Sequence, residues 1–187
     1  MIRLFVGLEL PPDLAGRLSA LGFGLPGAHW VAARNLHLTL RFIGEVNEGV
    51  AEDIDAALTA VTTPAFPLTL DGLGLFGDRR RAHTLWAGVE HSEALTRLQH
   101  RIEAAVTGTG QPPEPRRFSP HISLARIKET PPTRIQDFIA ATGRLRQTLT
   151  VESFALFRST LTRNGAEYDV LERYGLSATD DLSILGA

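Results

Sequence analysis

Apolar and polar residues alternate over several stretches of the chain, a pattern that predicts β-strands because successive side chains of a strand point to opposite faces. The alternation defines predicted strands at 2–10, 36–44, 66–75, 82–89, 121–127, 148–158 and 166–176. Glycine, aspartate and arginine at 77–81 are typical of a hairpin turn, and Asn164-Gly165 is typical of a tight two-residue turn. Each turn is predicted to join two antiparallel strands.

Apolar residues at helical spacing predict helices between these strands. The first starts at 11–13, two more carry apolar stripes over 50–61 and 95–106, and the last lies around 133–141. Asn47 and Ser92 are predicted N-caps, since both side chains can accept a hydrogen bond from the first helical turn. Each half of the chain then reads helix, strand, helix, strand, strand, which predicts a duplicated α+β unit.

The amino-acid composition is that of an ordinary globular protein. Of its 187 residues, 43% are hydrophobic and 21% charged, and the absence of cysteine excludes disulfides, thiolate metal sites and cysteine nucleophiles. The net charge of −2 argues against a generally basic nucleic-acid binder. Residues 1–10 do not resemble a signal peptide, and no apolar run approaches the roughly 20 residues of a membrane span. A soluble, cytoplasmic protein is therefore expected.

A short motif marks the repeat. The tetrad HLTL at 37–40 recurs as HISL at 121–124, and the spacing from histidine to hydroxyl is the same in both. Side chains two residues apart share one face of a strand, so His37 and Thr39 point one way, and His121 and Ser123 do the same in the second copy. If the two halves face each other, two imidazoles and two hydroxyls converge on one cleft.

Two histidines suit a reaction that removes a proton at one point and delivers it at another, because imidazole is both a base and an acid near pH 7. Opening a cyclic phosphate with water has this demand, and hydroxyls can stabilise the growing charge on the phosphate oxygens. A single tetrad of this kind would more often be a half-buried strand histidine. Two copies at equivalent places favour the catalytic interpretation, although their spacing does not assign the acid and the base.

The residues around both tetrads carry a family resemblance. The segments NLHLTLRFIG at 35–44 and FSPHISLAR at 118–126, with residues 154–171 near the end of the chain, closely resemble the two-histidine (2H) phosphoesterase superfamily. Within it the chain is most similar to the RNA 2′,3′-cyclic phosphodiesterases, also called 2′–5′ RNA ligase-like proteins. Ser123 departs from the family pattern, which usually has threonine there, but it keeps the hydroxyl.

The resemblance implies one domain over 1–187, made of two pseudo-symmetric lobes with motifs at 37–40 and 121–124. Its fold would be α+β, with two mostly antiparallel sheets facing a central cleft and helices on the outside. It implies no metal and no nucleotide cofactor. The implied reaction opens 2′,3′-cyclic phosphates at RNA or oligonucleotide ends to 2′-phosphates, with His37 as proton donor and His121 as proton acceptor. The chain is expected to act as a monomer that binds no membrane.

Three further residues are candidate substrate contacts. The family has a basic residue at the position of Arg126 that contacts the phosphate, but strict alternation turns Arg126 away from His121, so a bulge or strand end is required. Arg41 shares the His37 face by parity and is a second candidate, with an exposed strand-end arginine as the alternative.

Tyr168 is a candidate for stacking a base. Phe42 and Trp86 could also stack, although core packing is the favoured interpretation for both.

Two other functions stay open at this stage. The reverse reaction would join RNA ends through a 2′–5′ linkage in the same cleft, since microscopic reversibility permits it. A non-catalytic module that binds RNA or a nucleotide is the alternative from another class, and the intact pair of tetrads argues against it. The run GLGLFG at 72–77 matches a dinucleotide-binding motif but is followed by a predicted strand rather than a helix, so no such site is expected.

Overall fold

A computed structural model describes residues 1–23, 25–78, 81–128, 130–143, 145–163 and 165–178. Within these ranges, strands and helices alternate along most of the chain. In order they are β1 (Ile2–Glu9), α1 (Pro12–Ala20), β2 (Ala28–Trp30), β3 (His37–Val46), α2 (Glu48–Thr59), β4 (Phe66–Asp78), β5 (Arg81–Val89), α3 (Glu93–Gly108), β6 (His121–Ile127), α4 (Pro132–Thr142), β7 (Arg146–Val151), β8 (Ser153–Thr162) and β9 (Gly165–Gly175). Arg79, Arg80 and Asn164, which belong to the two predicted turns, lie outside the described residues.

The strands of the described residues form one nine-stranded sheet in the order β7-β4-β5-β6-β3-β1-β8-β9, with β2 added on β6. Every pairing between neighbouring strands is antiparallel. The α+β class is therefore confirmed, but the two separate sheets of the prediction are not found in the described part of the chain. Pairing of Leu38 in β3 with Ile122 in β6 joins two four-stranded halves into one sheet.

Each half of the sheet takes strands from both halves of the sequence. In one half, β4 pairs with β7 and β5 pairs with β6. In the other half, β8 pairs with β1, which comes from the start of the chain. The stretch 148–158, predicted as one strand, is in fact divided at Glu152 between β7, which pairs with β4, and β8. The core positions change parity at this break, from Leu149 and Val151 to Phe154 and Leu156. The change indicates an irregularity, but it does not reveal that the chain crosses from one half of the sheet to the other.

The core lies between one face of the sheet and the helices. Leu38, Leu40, Ile122 and Leu124, which alternate with the motif histidines and hydroxyls, belong to the main buried cluster. Residues of α2 and α3 pack in the same cluster, and those of α4 pack in a second one with Leu85 and Ala125. The other face of the two central strands therefore carries the motif side chains.

Both predicted helix caps are confirmed. The side chain of Asn47 accepts a hydrogen bond from the Val50 amide at 2.9 Å, and that of Ser92 accepts one from the Leu95 amide at 3.2 Å. These bonds satisfy amides that have no partner inside the helix. The helices α2 and α3 thus begin at the residues that the sequence indicated.

A β-bulge in β3 overturns the prediction for Arg41. Thr39 lies opposite Gly7 but Arg41 lies opposite Val6, so Leu40 is the extra residue of the bulge. The bulge turns Arg41 to the core face, where it is 5% exposed. Arg41 therefore does not share the face of His37, and it is removed from the candidate phosphate contacts.

Instead, Arg41 links β3 to α3 and to the segment that leads into β6. Its Nε lies 2.5 Å from a carboxylate oxygen of Glu103, and its guanidinium lies 3.6 Å from Glu114. It also donates hydrogen bonds to the carbonyls of Phe42 and Pro112. A buried cation with this many acceptors is costly to remove, because the carboxylates would be left without their partner.

Replacement of Arg41 is expected to destabilise the protein through this loss. Arg41→Ala should lower the free energy of unfolding by about 3–5 kcal/mol, the usual cost of breaking a buried ion pair. Arg97→Ala is the matched control, because Arg97 is 63% exposed and pairs with Glu93 on the surface of α3, and it should cost less than about 1 kcal/mol. Urea unfolding of the three proteins measures both, and equal losses in the two variants would contradict the buried network.

Candidate active site

The two motif histidines lie on neighbouring strands at the centre of the sheet. Because Leu38 pairs with Ile122, the antiparallel register sets His37 opposite Ser123 and Thr39 opposite His121. The four side chains thus form a square on one face, and diagonal neighbours in such a pair lie about 7–8 Å apart. This separation leaves room for a phosphate group between the two imidazoles.

Equivalent backbone contacts hold both imidazoles. Nδ1 of His37 lies 2.7 Å from the carbonyl oxygen of Asn35, and Nδ1 of His121 lies 2.7 Å from that of Ser119. A carbonyl can only accept, so Nδ1 carries the proton in both rings, and Nε2 is the nitrogen that exchanges protons. Asn35 is itself held in place, since its side-chain amide donates to the Ala166 carbonyl in β9 at 2.9 Å.

The hydroxyl of the first motif contacts its own histidine. Oγ1 of Thr39 lies 3.1 Å from Nε2 of His37, within hydrogen-bond distance. Ser123 lies on the same face and opposite Trp86 of β5. Both hydroxyls therefore border the space that the imidazoles face.

The surroundings of the two rings differ. His37 packs among three aromatic rings, with centroid distances of 4.7 Å to Phe5, 5.8 Å to Phe157 and 5.0 Å to Tyr168. Burial lowers the pKa of His37 from its usual 6.5, the hydrogen bond to Asn35 acts in the opposite direction, and the nearby charge of His121 lowers it further. The influence of His121 on the pKa of His37 agrees with two rings that face a common space.

His121 lies beside a different pair of aromatic residues. The Phe76 ring meets it edge-on at 4.7 Å, and the Trp86 indole lies 6.4 Å away. Gly74 makes this arrangement possible, because a Cβ there would overlap the indole. The GLGLFG run thus lies within β4 and supports Trp86, and no helix follows it. Sequence reasoning did not select Phe76, since an aromatic residue in a strand is usually core.

A second bulge brings Arg126 to the motif face. Ser123 lies opposite Trp86 and Ala125 lies opposite Leu85, so Leu124 is the extra residue and both Leu124 and Ala125 point to the core. Arg126 then points to the same face as Ser123 and is exposed. The bulge that the sequence argument required for Arg126 is therefore present.

The same geometry exposes Phe42. In β3 the bulge sets Phe42 opposite Phe5, on the face of His37, and leaves Phe42 60% exposed. The expectation that Phe42 packs in the core is therefore wrong. Phe42 and Arg126 occupy equivalent positions after the two motifs, so the repeat presents an apolar ring at one end of the cleft and a cation at the other.

A cavity of about 320 Å³ opens beside His37 and is lined by Tyr168, Phe157 and Asn35 among others. Tyr168, predicted from the sequence as a substrate contact, thus lies both at the His37 ring and in the wall of this cavity. Across the described residues, no group of three or more His, Asp or Glu side chains is placed to hold a metal ion. None of the described helices is long and apolar enough to cross a bilayer.

Comparison with known proteins decides the family. A model of the 2′-5′ RNA ligase superfamily matches residues 10–163. The chain belongs to this superfamily. An RNA 2′,3′-cyclic phosphodiesterase of Aeropyrum pernix is 36% identical over 149 residues, covering 75% of this chain and 82% of the relative. One of Thermotoga maritima is 30% identical over 179 residues, covering 91% and 93%.

Solved structures of known proteins have the same fold. The structure of Escherichia coli LigT complexed with 3′-AMP superposes with a TM-score of 0.77 at 27% identity, covering 94% of this chain and 98% of that chain. A Thermus thermophilus protein gives the same TM-score at 28% identity, covering 95% and 99%. The family resemblance stated from the two tetrads is therefore confirmed, and the curated relatives are hydrolases, the class predicted for this chain.

The environment of His37 predicts its titration. By NMR, His37 should titrate below 6.5, and in His121→Ala its midpoint should move upward because a neighbouring positive charge is gone. Nitrogen shifts should show Nδ1–H as the neutral tautomer in both rings. A His37 midpoint that does not respond to His121→Ala would contradict the facing arrangement.

The lowered pKa of His37 also makes the stability of the protein depend on pH. Because the pKa of His37 is lower in the folded protein than the 6.5 of the unfolded chain, the unfolded state binds this proton more tightly. The contribution is absent well above 6.5 and becomes destabilising as the pH falls through 6.5 towards the folded pKa. His37→Gln should reduce this loss of unfolding free energy between about pH 7 and pH 5.

Proposed function

We propose that this cleft hydrolyses terminal 2′,3′-cyclic phosphates on RNA or oligonucleotides to 2′-phosphates, without a metal. The observation that carries the proposal is the pair of imidazoles, both held through Nδ1 by a carbonyl two residues earlier and both facing one space with Nε2. The names of the curated relatives, RNA 2′,3′-cyclic phosphodiesterases, support the hydrolysis of such cyclic phosphates. We further propose that residues 1–187 act as one domain and as a monomer, since both histidines come from a single chain.

In the proposed mechanism, Nε2 of His121 accepts a proton from water as the water oxygen attacks phosphorus. The bond from phosphorus to the 3′ oxygen breaks on the opposite side, and Nε2 of His37 gives its proton to that oxygen. The product keeps the phosphate on the 2′ oxygen. The two rings end with exchanged protonation states, and proton exchange with solvent restores them.

The low pKa of His37 is compatible with the role of proton donor. A lower pKa makes the imidazolium a stronger acid, which favours transfer to the departing oxygen. The anionic phosphate of a bound substrate would offset the effect of burial and keep the ring charged until that transfer. One neutral and one charged imidazole are needed together, so the rate should pass through a maximum as the pH changes.

The polar groups around the square would bind the phosphate. Thr39 and Ser123 are proposed to donate hydrogen bonds to its non-bridging oxygens as their charge grows. Arg126, on the same face beyond Ser123, would supply a positive charge. Exposed Phe42, at the opposite end of the cleft, and Tyr168, beside His37, offer aromatic faces for a base.

Ligation in the same cleft is the second candidate, favoured by the superfamily to which the chain belongs. A 5′-hydroxyl in place of water would give a 2′–5′ linkage through the same bond changes. Mixing fragments that end in a 2′,3′-cyclic phosphate and in a 5′-hydroxyl would reveal this as a longer product. Tight binding of a 2′-phosphorylated nucleotide without turnover would instead favour a non-catalytic module.

Removal of either imidazole tests the proposed reaction. His37→Ala and His121→Ala should each lower kcat on a 2′,3′-cyclic phosphate by about 10²–10⁴-fold, the usual range for a general acid or base. His100→Ala is the matched control, since His100 is exposed on α3, and it should retain full activity. The wild-type rate should not respond to EDTA, and the product should carry phosphate on the 2′ oxygen. Full activity in either motif variant, with the fold intact, would refute the assignment.

Substitution of the hydroxyls separates phosphate binding from strand packing. Thr39→Ala and Ser123→Ala should each lower kcat by about 10²-fold, as the loss of one donor to a transition-state oxygen does. Ser123→Thr keeps the hydroxyl and should stay near the wild-type rate. Equal losses in Ser123→Ala and Ser123→Thr would indicate a steric effect rather than a hydrogen bond.

A further inference from the structure

The cavity beside His37 is larger than the phosphate site requires. It lies where the end of β1, the first turn of α1 and residues 33–37 meet β8 and β9, and it has a volume of about 320 Å³. This is near the lower limit of about 300 Å³ for small-molecule pockets, enough for one base with its sugar. Because His37 forms part of its wall, the cavity lies next to the proposed reaction centre.

The walls are suited to an uncharged ring with polar edges. Phe157, Tyr168 and Val170 provide apolar surface. Glu9 also lines the cavity, and its carboxylate is neutralised by Arg173, which donates hydrogen bonds at 2.6 and 2.8 Å. The paired carboxylate adds no net charge to the wall, but its oxygens can accept a hydrogen bond from an amino or hydroxyl group.

A positively charged side chain, that of Arg34, lies at the edge of the cavity. The Arg34 side chain is 74% exposed and lies 3.9 Å from the 53% exposed carboxylate of Glu167, too loose a pair to hold it. An anion at this point would meet the guanidinium at the boundary between cavity and solvent. The arrangement of an uncharged interior and a cationic rim matches a nucleoside with its attached phosphate.

The direction of the reaction indicates which nucleoside this is. In-line displacement sets the water on the side of His121 and the ribose on the side of His37, so the RNA chain continues on the His37 side. Two apolar surfaces lie on the strand that carries His37. One is the exposed Phe42 ring, which shares the neighbour Phe5 with His37 at centroid distances of 5.9 and 4.7 Å. The other is the cavity beside His37. A terminal nucleotide has one base, and that base can stack on the exposed ring of Phe42.

We propose that the cavity is a subsite for the nucleoside that precedes the terminal one, with Arg34 contacting the phosphodiester that joins them. The inference rests on the proposed function and on the donor role of His37. It makes an RNA end, rather than a free cyclic mononucleotide, the preferred substrate.

The test compares a dinucleotide that ends in a 2′,3′-cyclic phosphate with the corresponding cyclic mononucleotide. The wild-type protein should prefer the dinucleotide by about tenfold or more in kcat/KM, as expected for one additional base on an aromatic wall. Val170→Trp fills the cavity and should bring this ratio close to one. Ala141→Trp adds the same side chain at a separate cavity beside α4 and should leave the ratio as in the wild type.

A second substitution tests the subsite at an exposed residue, where the change does not disturb the packing of the cavity wall. Arg34→Gln should lower kcat/KM for the dinucleotide by about threefold to tenfold, the effect of one charge-assisted contact, and change that for the mononucleotide much less. Arg97→Gln, at a 63% exposed arginine on α3, is the matched control. Equal kcat/KM for the two substrates in the wild type, or an equal loss for both in Val170→Trp, would overturn the subsite.

Binding separates this proposal from the proposed reaction. The 2′-phosphorylated dinucleotide should bind more tightly than the 2′-phosphorylated mononucleotide, and Val170→Trp and Arg34→Gln should remove the difference. If neither cyclic substrate is hydrolysed, the proposed reaction is wrong and this titration still decides the subsite. Equal affinity of the two ligands for the wild-type protein would overturn it.

Discussion

The site depends on the register of two strands at the centre of the sheet. Pairing of Leu38 with Ile122 brings together motifs that are far apart in sequence and sets each histidine opposite the hydroxyl of the other motif. A shift of the register by one residue would pair each histidine with a core position, because side chains of a strand alternate between the faces. Leu38 and Ile122, which lie between the motif side chains, are fully buried. A register shift would expose them, and this energetic penalty keeps the four motif side chains in place.

Much of this site was accessible from the sequence because its signal is local. A histidine and a hydroxyl two residues apart must share a face in any strand, and the repetition of the tetrad indicated a common cleft. The caps Asn47 and Ser92 are likewise local. The position of Arg41 could not be obtained in this way, since an extra residue in β3 changes the parity and becomes visible only in the pairing with β1. The same device, in β6, turns Arg126 towards the motif face.

The remaining differences come from long-range pairing. The alternation breaks at Glu152 and Ser153, which are adjacent polar residues, but a break of this kind does not say whether the strand is only bent or divided between opposite halves of the sheet. Phe76 likewise became a neighbour of His121 only through the pairing of β4 with β5 and the space left by Gly74. The two histidines share their backbone contacts, yet different strands supply their surroundings. A symmetric pattern in the sequence therefore gave no indication that one ring is enclosed by three aromatic side chains and the other borders two.

The exchange of strands between the halves also has a consequence for synthesis of the chain. Strand β1 leaves the ribosome before the other eight described strands, but its outer neighbour β8 begins only at Ser153. Until then β1 has an open edge of unpaired backbone groups, with Leu4, Phe5 and Val6 not yet covered on both sides. Such late contacts between distant segments slow folding. Until β8 is made, the open edge of β1 is therefore a place where another chain can pair.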